Sequence, residues 1–228
     1  MPWTTPSPAC GHRGCWDGWS EPWWTWANLV TLLRTVGALA LAAAAVVLSR
    51  QDLLLLSVAV YWVGDVLDGQ LARRLHQETR RGALLDVLTD RLCSLAFWLP
   101  WAVWHPDVAW PIALYVLEFA VVDTVLSVIW LRFPLTSCNY VDRVDRVVYR
   151  WNWWAPAKAV NTAGLLVLVV IRPLPVLASA FVLAVLVVKV VSLARLARRL
   201  PAPGPGCAAS RDTGHRVPHV ETLRTVGT

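Results

Sequence analysis

The chain has 228 residues, of which 57% are hydrophobic and only 16% are charged, with a formal net charge of +6. A soluble domain is about a quarter charged and lacks repeated apolar runs of about 20 residues, so this composition excludes an ordinary soluble fold. The basic residues lie in short loops rather than on a soluble surface, which argues against nucleic-acid binding. The sequence predicts an all-α, polytopic integral membrane bundle.

Residues 1–27 form a polar leader rich in tryptophan and proline. Its second half is compatible with a short amphipathic helix lying at the membrane interface, although Pro22 disfavours one. Cys10, His12 and Cys15 could ligate zinc, but a structural zinc site usually needs a fourth ligand and no second Cys/His pair is nearby. We therefore expect an interfacial segment rather than a metal-bound module.

Six apolar runs follow the leader, each of about 17 to 24 residues and so long enough to cross a bilayer as a helix. They lie near residues 28–49, 53–72, 83–104, 108–131, 156–172 and 174–194. Together they predict one membrane domain over residues 28–199. The polar, Pro/Gly-rich segment 200–228 is predicted to be a disordered tail.

Arginines mark one side of this predicted bundle. Eleven of them lie after the even-numbered spans: Arg73, Arg74, Arg80, Arg81, Arg132, Arg143, Arg146, Arg150, Arg195, Arg198 and Arg199. The opposite loops hold only Arg50 and Arg172. Basic residues in short loops remain in the cytoplasm, so both termini and the ends of spans two and three should face the cytoplasm of a bacterial-type cell membrane.

Four aspartates lie at the facing ends of spans two and three. Asp65 and Asp68 are three residues apart and Asp86 and Asp90 are four apart, so each pair shares one helix face. A charged residue inside a spanning helix costs about 2.5–3.5 kcal/mol on insertion scales, so four carboxylates need compensation. Oxygen ligands without His or Cys select Mg²⁺, Mn²⁺ or Ca²⁺, and four carboxylates can hold two such ions.

Small residues and one arginine accompany the aspartates. Gly69 and Ala72 follow Asp68, Gly82 precedes Asp86 by one turn, and Arg73 offers a planar fork of donors for phosphate. Small residues also serve close helix packing in membranes, and that alternative stays open here. Divalent metal beside arginine at a membrane indicates phosphoryl-group transfer at a lipid interface.

The segments DVLDGQLAR (65–73) and GALLDVLTD (82–90), separated by eight residues, resemble the full signature DxxDGxxAR-x8-GxxxDxxxD of the CDP-alcohol phosphatidyltransferase family. Asn28, Thr31 and Arg34 are similar to the residues that open the first helix in that family. The resemblance covers nearly all of residues 24–199. It implies transfer of a phosphatidyl group from a CDP-linked lipid, usually CDP-diacylglycerol, to a small alcohol in phospholipid biosynthesis, with release of CMP.

Residue roles follow from this resemblance. It implies that Asp65, Asp68, Asp86 and Asp90 bind two Mg²⁺ or Mn²⁺ ions, and that Asp90 is also the general base for the acceptor hydroxyl. The implied CDP-binding residues are Asn28, Thr31, Gly69, Ala72, Arg73 and Gly82. Arg34 becomes a buried polar contact at the cytoplasmic end. Relatives form homodimers, and a homodimer is expected by resemblance alone.

The acceptor alcohol is not specified by the motif. Phosphorylated acceptors need basic residues, for which loop position offers Arg132, Arg143, Arg146, Arg150 and Lys158; positive-inside charge and interfacial snorkelling explain them equally. The fourth span carries Glu118 and Asp123, five residues apart and so expected on different helix faces. They would pair with basic residues of neighbouring helices or line an acceptor pocket. An inositol-phosphate acceptor and an unusual polar alcohol both remain open.

Two other functional classes are compatible with intramembrane carboxylates. A transporter would place them near mid-bilayer in broken helices and show repeated halves, and neither feature is evident. An inactive scaffold of the same fold would be expected to lose its carboxylates first, and all four are present. The signature therefore favours the enzyme.

Overall fold

The computed structural model describes residues 14–16 and 21–199. Its helices are α1 Trp26–Leu48, α2 Gln51–Arg74, α3 Arg80–Trp104, α4 Ala109–Leu117, α5 Thr124–Val128, α6 Arg146–Asn152, α7 Ala155–Leu166 and α8 Pro175–Ala197. Two π-helical turns, Glu118–Asp123 and Val167–Ile171, continue α4 and α7. Short 3₁₀ turns lie at Pro106–Val108, Ile129–Arg132 and Cys138–Arg143. Over the described residues the all-α prediction is confirmed.

Among the described residues, three segments are long and apolar enough to cross a membrane: Trp26–Leu48, Pro106–Arg132 and Pro175–Ala197. Arg146–Asn152 and Ala155–Ile171 meet at 43° and supply a fourth if they form one bent span. Helices α2 and α3 are as long, with 24 and 25 residues, but the charged residues of the signature make them more polar. The structure therefore supports an integral membrane protein with three or four spans and does not confirm six.

Polar side chains fix where the helices around the acidic region begin. The Thr25 hydroxyl accepts a hydrogen bond from the Asn28 amide at 3.0 Å and caps α1. Thr79 caps α3 in the same way, accepting from the Gly82 amide at 2.9 Å. Such caps satisfy amides that have no partner inside the helix. They fix the register of α1 and α3 at the ends where the signature lies.

Packing is divided between two apolar clusters. One lies among α1–α4, α7 and α8 and contains three stacked or edge-on aromatic residues, Phe97, Trp98 and Trp101. The other lies around the 3₁₀ turns and α6, with Trp130 and Leu135 fully buried. The signature aspartates lie on α2 and α3, which both contribute residues to the first cluster, so their side chains are held on closely packed helices.

A short piece of the leader is attached to the second cluster. Cys15 forms an isolated antiparallel bridge with Leu135, and the amide of Thr136 donates to the carbonyl of Gly14 at 2.9 Å. Cys15 is buried, and Arg143 Nη1 lies 3.1 Å from its sulfur. Cys10, His12, residues 17–20 and the tail from 200 lie outside the described residues. The predicted interfacial helix over 16–26 is wrong where the structure describes it, because residues 21–25 are not helical and Trp26 already belongs to α1. The leader therefore contacts the bundle at least at Cys15.

Candidate active site at the ends of helices one to three

The four signature aspartates converge on Arg34, which is 2% exposed at its side chain. Arg34 Nε donates to Asp68 Oδ2 at 2.7 Å, and Nη2 donates to Asp86 and Asp90 at 2.5 and 3.1 Å. Asp65 Oδ1 lies 3.3 Å from the same Nη2. The expectation that Arg34 is a buried polar contact is confirmed, and its partners are all four carboxylates.

Close approach of α1 and α2 makes this convergence possible. A Cβ on Gly64 would lie 2.5 Å from Arg34 Cβ and 2.6 Å from its Cδ, so only glycine leaves room for the arginine. One turn before Arg34, the Thr31 hydroxyl donates to Asp68 Oδ2 at 2.7 Å. Asp68 is thus held by two donors of α1, and its orientation is fixed by groups that are themselves buried.

Asp65, Asp68 and Asp86 offer one oxygen each within 4.8 Å of one another, a separation that one cation can bridge. One guanidinium against four ionised carboxylates leaves negative charge uncompensated, which favours added cations. The donors are all carboxylate oxygens, the set that suits Mg²⁺ or Mn²⁺. Asp90 is outside this group of three but shares Arg34 with it. The residues present therefore fit divalent metal.

A cavity of about 90 Å³ lies directly beside Asp68 and Asp86. All six predicted CDP-binding residues line it: Asn28, Thr31, Gly69, Ala72, Arg73 and Gly82. A Cβ on Gly82 would meet Asn28 Oδ1 at 2.6 Å, whereas one on Gly69 would make only an ordinary contact of 3.4 Å with Arg73. Gly82 is therefore required for close packing, whereas a methyl group would fit at Gly69 in contact with the Arg73 guanidinium.

A second, larger cavity of about 700 Å³ continues from the same carboxylates into the bundle. The two cavities share Asp68, Gly69, Arg73 and Asp86, so the carboxylates lie where they meet. Cys138 lines both, and burial raises the pKa of its thiol to about 11.

Of the predicted acceptor-binding residues, the larger cavity brings Lys158 to its wall, where Nζ donates to Asn139 Oδ1 at 3.2 Å. Arg132, Arg143 and Arg146 are absent from the described lining of both cavities. Arg143 lies beside Cys15 and over the Tyr140 ring instead. The structure thus brings one of the five predicted acceptor residues to the cavity wall and leaves the four arginines, Arg150 included, outside the described lining.

Glu118 and Asp123 lie on the same side of the fourth helical segment, contrary to the expectation from their five-residue separation. The π-helical turn Glu118–Asp123 has about five residues between hydrogen-bonded partners, which aligns positions i and i+5. Both carboxylates contact Lys189 of α8, at 3.0 and 2.7 Å. The sequence reasoning did not single out Lys189. A lone lysine within the highly apolar last span was the signal that would have found it.

These features define a class of protein: a helical membrane protein whose acidic, oxygen-only centre lies between two cavities at one end of the bundle. A family model described as CDP-alcohol phosphatidyltransferase matches residues 24–197, so the chain belongs to that family, as the signature predicted. No curated protein and no solved structure matches the chain. Membership implies phosphatidyl transfer from a CDP-alcohol to an acceptor alcohol within a membrane, a reaction for which the family generally uses divalent metal.

Proposed function

We propose that this protein transfers the phosphatidyl group of a CDP-linked lipid, CDP-diacylglycerol, to the hydroxyl of a small polar alcohol and releases CMP. The observation that carries the proposal is the placement of Asp65, Asp68 and Asp86 oxygens within 4.8 Å of one another, where two cavities meet. One cavity is available for the nucleotide and the other for the acceptor. The product belongs to phospholipid biosynthesis.

Asp65, Asp68, Asp86 and Asp90 would hold two Mg²⁺ or Mn²⁺ ions. When bound, divalent metal neutralises the diphosphate of the donor and the phosphate of departing CMP. Arg34 and Thr31 orient Asp68 through their hydrogen bonds of 2.7 Å. These contacts hold the Asp68 carboxylate in place before the donor binds. Such positioning before binding lowers the barrier of the transfer step.

Nucleotide binding is assigned to the smaller cavity. Its walls are Asn28, Thr31, Gly69, Ala72, Arg73 and Gly82. Arg73 supplies a guanidinium fork that matches phosphate oxygens, and Gly69 allows a ligand to approach the helix backbone. The diphosphate of CDP then lies at the boundary between the cavities, beside the carboxylates.

Bond changes occur at the phosphorus that carries the diacylglycerol ester. The acceptor hydroxyl oxygen forms a new bond to this phosphorus, and its proton passes to an Asp90 carboxylate oxygen. The bond from phosphorus to the bridging oxygen of the diphosphate breaks, and its electron pair leaves with CMP. Asp90 suits this role because it lines the larger cavity, where the acceptor would bind. The hydrogen bond that its Oδ1 accepts from Arg34 Nη2 at 3.1 Å holds the carboxylate in place.

Topology and assembly belong to the proposal as well. The arginine-rich loops support a cytoplasmic location of the active site and both termini in a bacterial-type cell membrane. The donor would enter from the surrounding lipid, and family resemblance supports a homodimer. An inactive scaffold or a transporter remains the alternative that experiment must exclude.

The test is CMP release by purified protein in detergent, supplied with CDP-diacylglycerol, Mg²⁺ or Mn²⁺ and a panel of acceptors. Asp90→Asn keeps the shape of the side chain but cannot accept the proton, so we expect a loss of about 10²–10⁴-fold in kcat. EDTA should abolish release by the wild type. Asp107→Asn, the same change at an exposed turn residue, is the matched control.

Equal rates for Asp90→Asn and wild type would contradict the assigned base. CMP release that persists in EDTA would contradict the metal centre. Failure of the wild type to bind CDP-diacylglycerol would contradict the transferase itself, whereas tight binding without release from any acceptor would favour the scaffold.

A further inference from the structure

Four charged side chains line the larger cavity and form what we call the ion cluster: Arg91, Glu118, Asp123 and Lys189. Glu118 and Lys189 are buried, and the side chains of Arg91 and Asp123 are 12% and 14% exposed. Arg91 follows Asp90 in α3, so the cluster adjoins the signature aspartates while taking no part in their contacts with Arg34. Its two acidic and two basic side chains together carry no net charge. The contacts within the cluster show which atoms are left for a ligand.

Three members of the ion cluster are engaged within the protein. Asp123 Oδ1 lies 2.7 Å from Lys189 Nζ, and its Oδ2 accepts from Arg91 Nη2 at 2.5 Å. Arg91 also donates to Thr124 and Ser127 hydroxyls at 3.0 Å, and its guanidinium lies 3.9 Å from the Phe119 ring centroid. Both cations are therefore already neutralised by neighbouring carboxylates.

Glu118 differs from the other members. It is 1% exposed, and Lys189 Nζ lies 3.0 Å from its Oε1 and forms an ion pair with it. Its other oxygen, Oε2, is buried and has no hydrogen-bond partner among the described residues. A buried carboxylate oxygen without a donor is costly, because it has lost its water and gained no hydrogen bond in exchange. Glu118 therefore presents an unused acceptor to the cavity.

Asn152 presents a second unused acceptor on the same cavity. Its Nδ2 donates to the Val148 carbonyl and the Ser192 hydroxyl at 2.9 and 2.8 Å. The carbonyl can only accept, so this contact fixes which end of the amide is nitrogen. Oδ1 is buried and has no hydrogen-bond partner within the described chain, and the residue is 7% exposed.

We infer that the acceptor is an uncharged polyhydroxy alcohol whose hydroxyls donate to Glu118 and Asn152 while one further hydroxyl lies at Asp90. This inference rests on the proposed function and names its acceptor class. Each hydroxyl supplies the donor that a buried oxygen lacks. Asp90, Glu118 and Asn152 all line the one cavity of about 700 Å³, where the acceptor would bind among them.

Charge separates this class from the two other common acceptor classes. A phosphorylated alcohol would bring an anion towards the Glu118 carboxylate, while the cations Arg91 and Lys189 are already paired with acids. An ammonium group, as in ethanolamine, would satisfy Glu118 but add a positive charge to a cluster that is balanced without it, and serine would bring a carboxylate as well. A neutral polyol adds donors and leaves the charge unchanged.

The experiment compares acceptors in the CMP-release assay with CDP-diacylglycerol and Mg²⁺. The panel contains the polyols inositol and glycerol, their monophosphates, and the amino alcohols serine and ethanolamine. We expect kcat/KM for one of the polyols to exceed that for every phosphorylated or amino acceptor by at least about 10-fold, the effect of one well-formed hydrogen bond. This comparison uses the wild type and depends on no variant.

Glu118→Gln tests the residue itself. We expect KM for the polyol to rise about 10- to 100-fold, because a hydrogen bond to a charged group is replaced by one to an amide. KM for CDP-diacylglycerol, bound in the other cavity, should stay within about twofold and shows that the variant is folded. Glu21→Gln, the same substitution outside both cavities, should change neither constant.

Preference for a phosphorylated or amino acceptor would overturn the inference and leave the transferase intact. A polyol KM unchanged in Glu118→Gln would overturn it as well. Absence of CMP release with all six acceptors would overturn the inference too, and the binding of CDP-diacylglycerol would then show whether the proposed function also fails.

Discussion

Replacing Arg34 by glutamine removes the cation shared by the four signature aspartates. The contact with Asp68 is the most buried of the four, with side-chain exposures of 2% and 5%. Removing one partner of a buried ion pair costs about 3–5 kcal/mol, because the other charge is left without compensation. The other three carboxylates are 21–42% exposed, so water screens them and their contribution is smaller.

The expected loss appears as a lower melting temperature in EDTA. For a domain of this size each kcal/mol shifts Tm by about 2–4 °C, so Arg34→Gln should melt about 6–20 °C below the wild type. Saturating Mg²⁺ should restore part of the difference, since metal bound only by the folded state stabilises by about 2.7 kcal/mol at one hundred times Kd. Without the guanidinium the carboxylates attract Mg²⁺ more strongly, so the variant should gain more from Mg²⁺ than the wild type does.

The assay is tryptophan fluorescence during heating in detergent, with EDTA or Mg²⁺. Arg50→Gln is the matched control, because Arg50 pairs with Asp52 where both side chains are more than half exposed, and no measurable change is expected. Equal melting temperatures for Arg34→Gln and wild type in EDTA would refute the reasoning. So would an equal response of the two proteins to Mg²⁺.

Two further predictions concern positions beside the carboxylates and at the start of α6. Gly82→Ala places a Cβ 2.6 Å from Asn28 Oδ1, so we expect KM for CDP-diacylglycerol to rise about 10-fold with little change in that for the acceptor; unchanged donor kinetics would contradict the assigned nucleotide cavity. Asp145 caps α6, and although burial opposes it, hydrogen bonds from the Val148 amide and Arg195 lower the pKa of its carboxyl. A lowered folded-state pKa gives stability that is present above the unfolded value of about 3.9 and is lost as pH falls through the folded pKa. Asp145→Ala should therefore lower the free energy of unfolding by about 1–2 kcal/mol at neutral pH, and the difference in Tm from the wild type should disappear below about pH 4. Asp145→Asn keeps the cap and should lose less stability. A difference in Tm that does not change with pH in melting curves would contradict this account.

The acidic motif was readable from sequence because its determinants are local. Helix periodicity alone places Asp65 with Asp68 and Asp86 with Asp90 on common faces, and both pairs do converge on one point. The predicted nucleotide residues are also near neighbours in the chain or at the start of α1, and all of them line one cavity. The number of spans was less predictable, because α2 and α3 mix apolar length with the charges of the signature.

Residues far apart in the chain could not be assigned in the same way. Loop position suggested Arg132, Arg143 and Arg146 as acceptor contacts, but positive-inside charge produces the same pattern, and none of the three lines either described cavity. Lys158, by contrast, lines the larger cavity, because α7 brings it to the cavity wall. The acceptor assignment made from sequence therefore stays a prediction. For these three arginines the structure gives it no support.

The sequence by itself determined the family, the helical membrane fold and the four aspartates, since each depends on composition or on spacing within one helix. Tertiary structure decided which side chains contact the aspartates and the other charged residues. The contacts of Arg34 with all four carboxylates require a glycine on α2, and the alignment of Glu118 with Asp123 on Lys189 requires a π-helical turn. Such contacts join residues up to about 70 positions apart, where charge and packing, rather than local periodicity, fix which side chains meet.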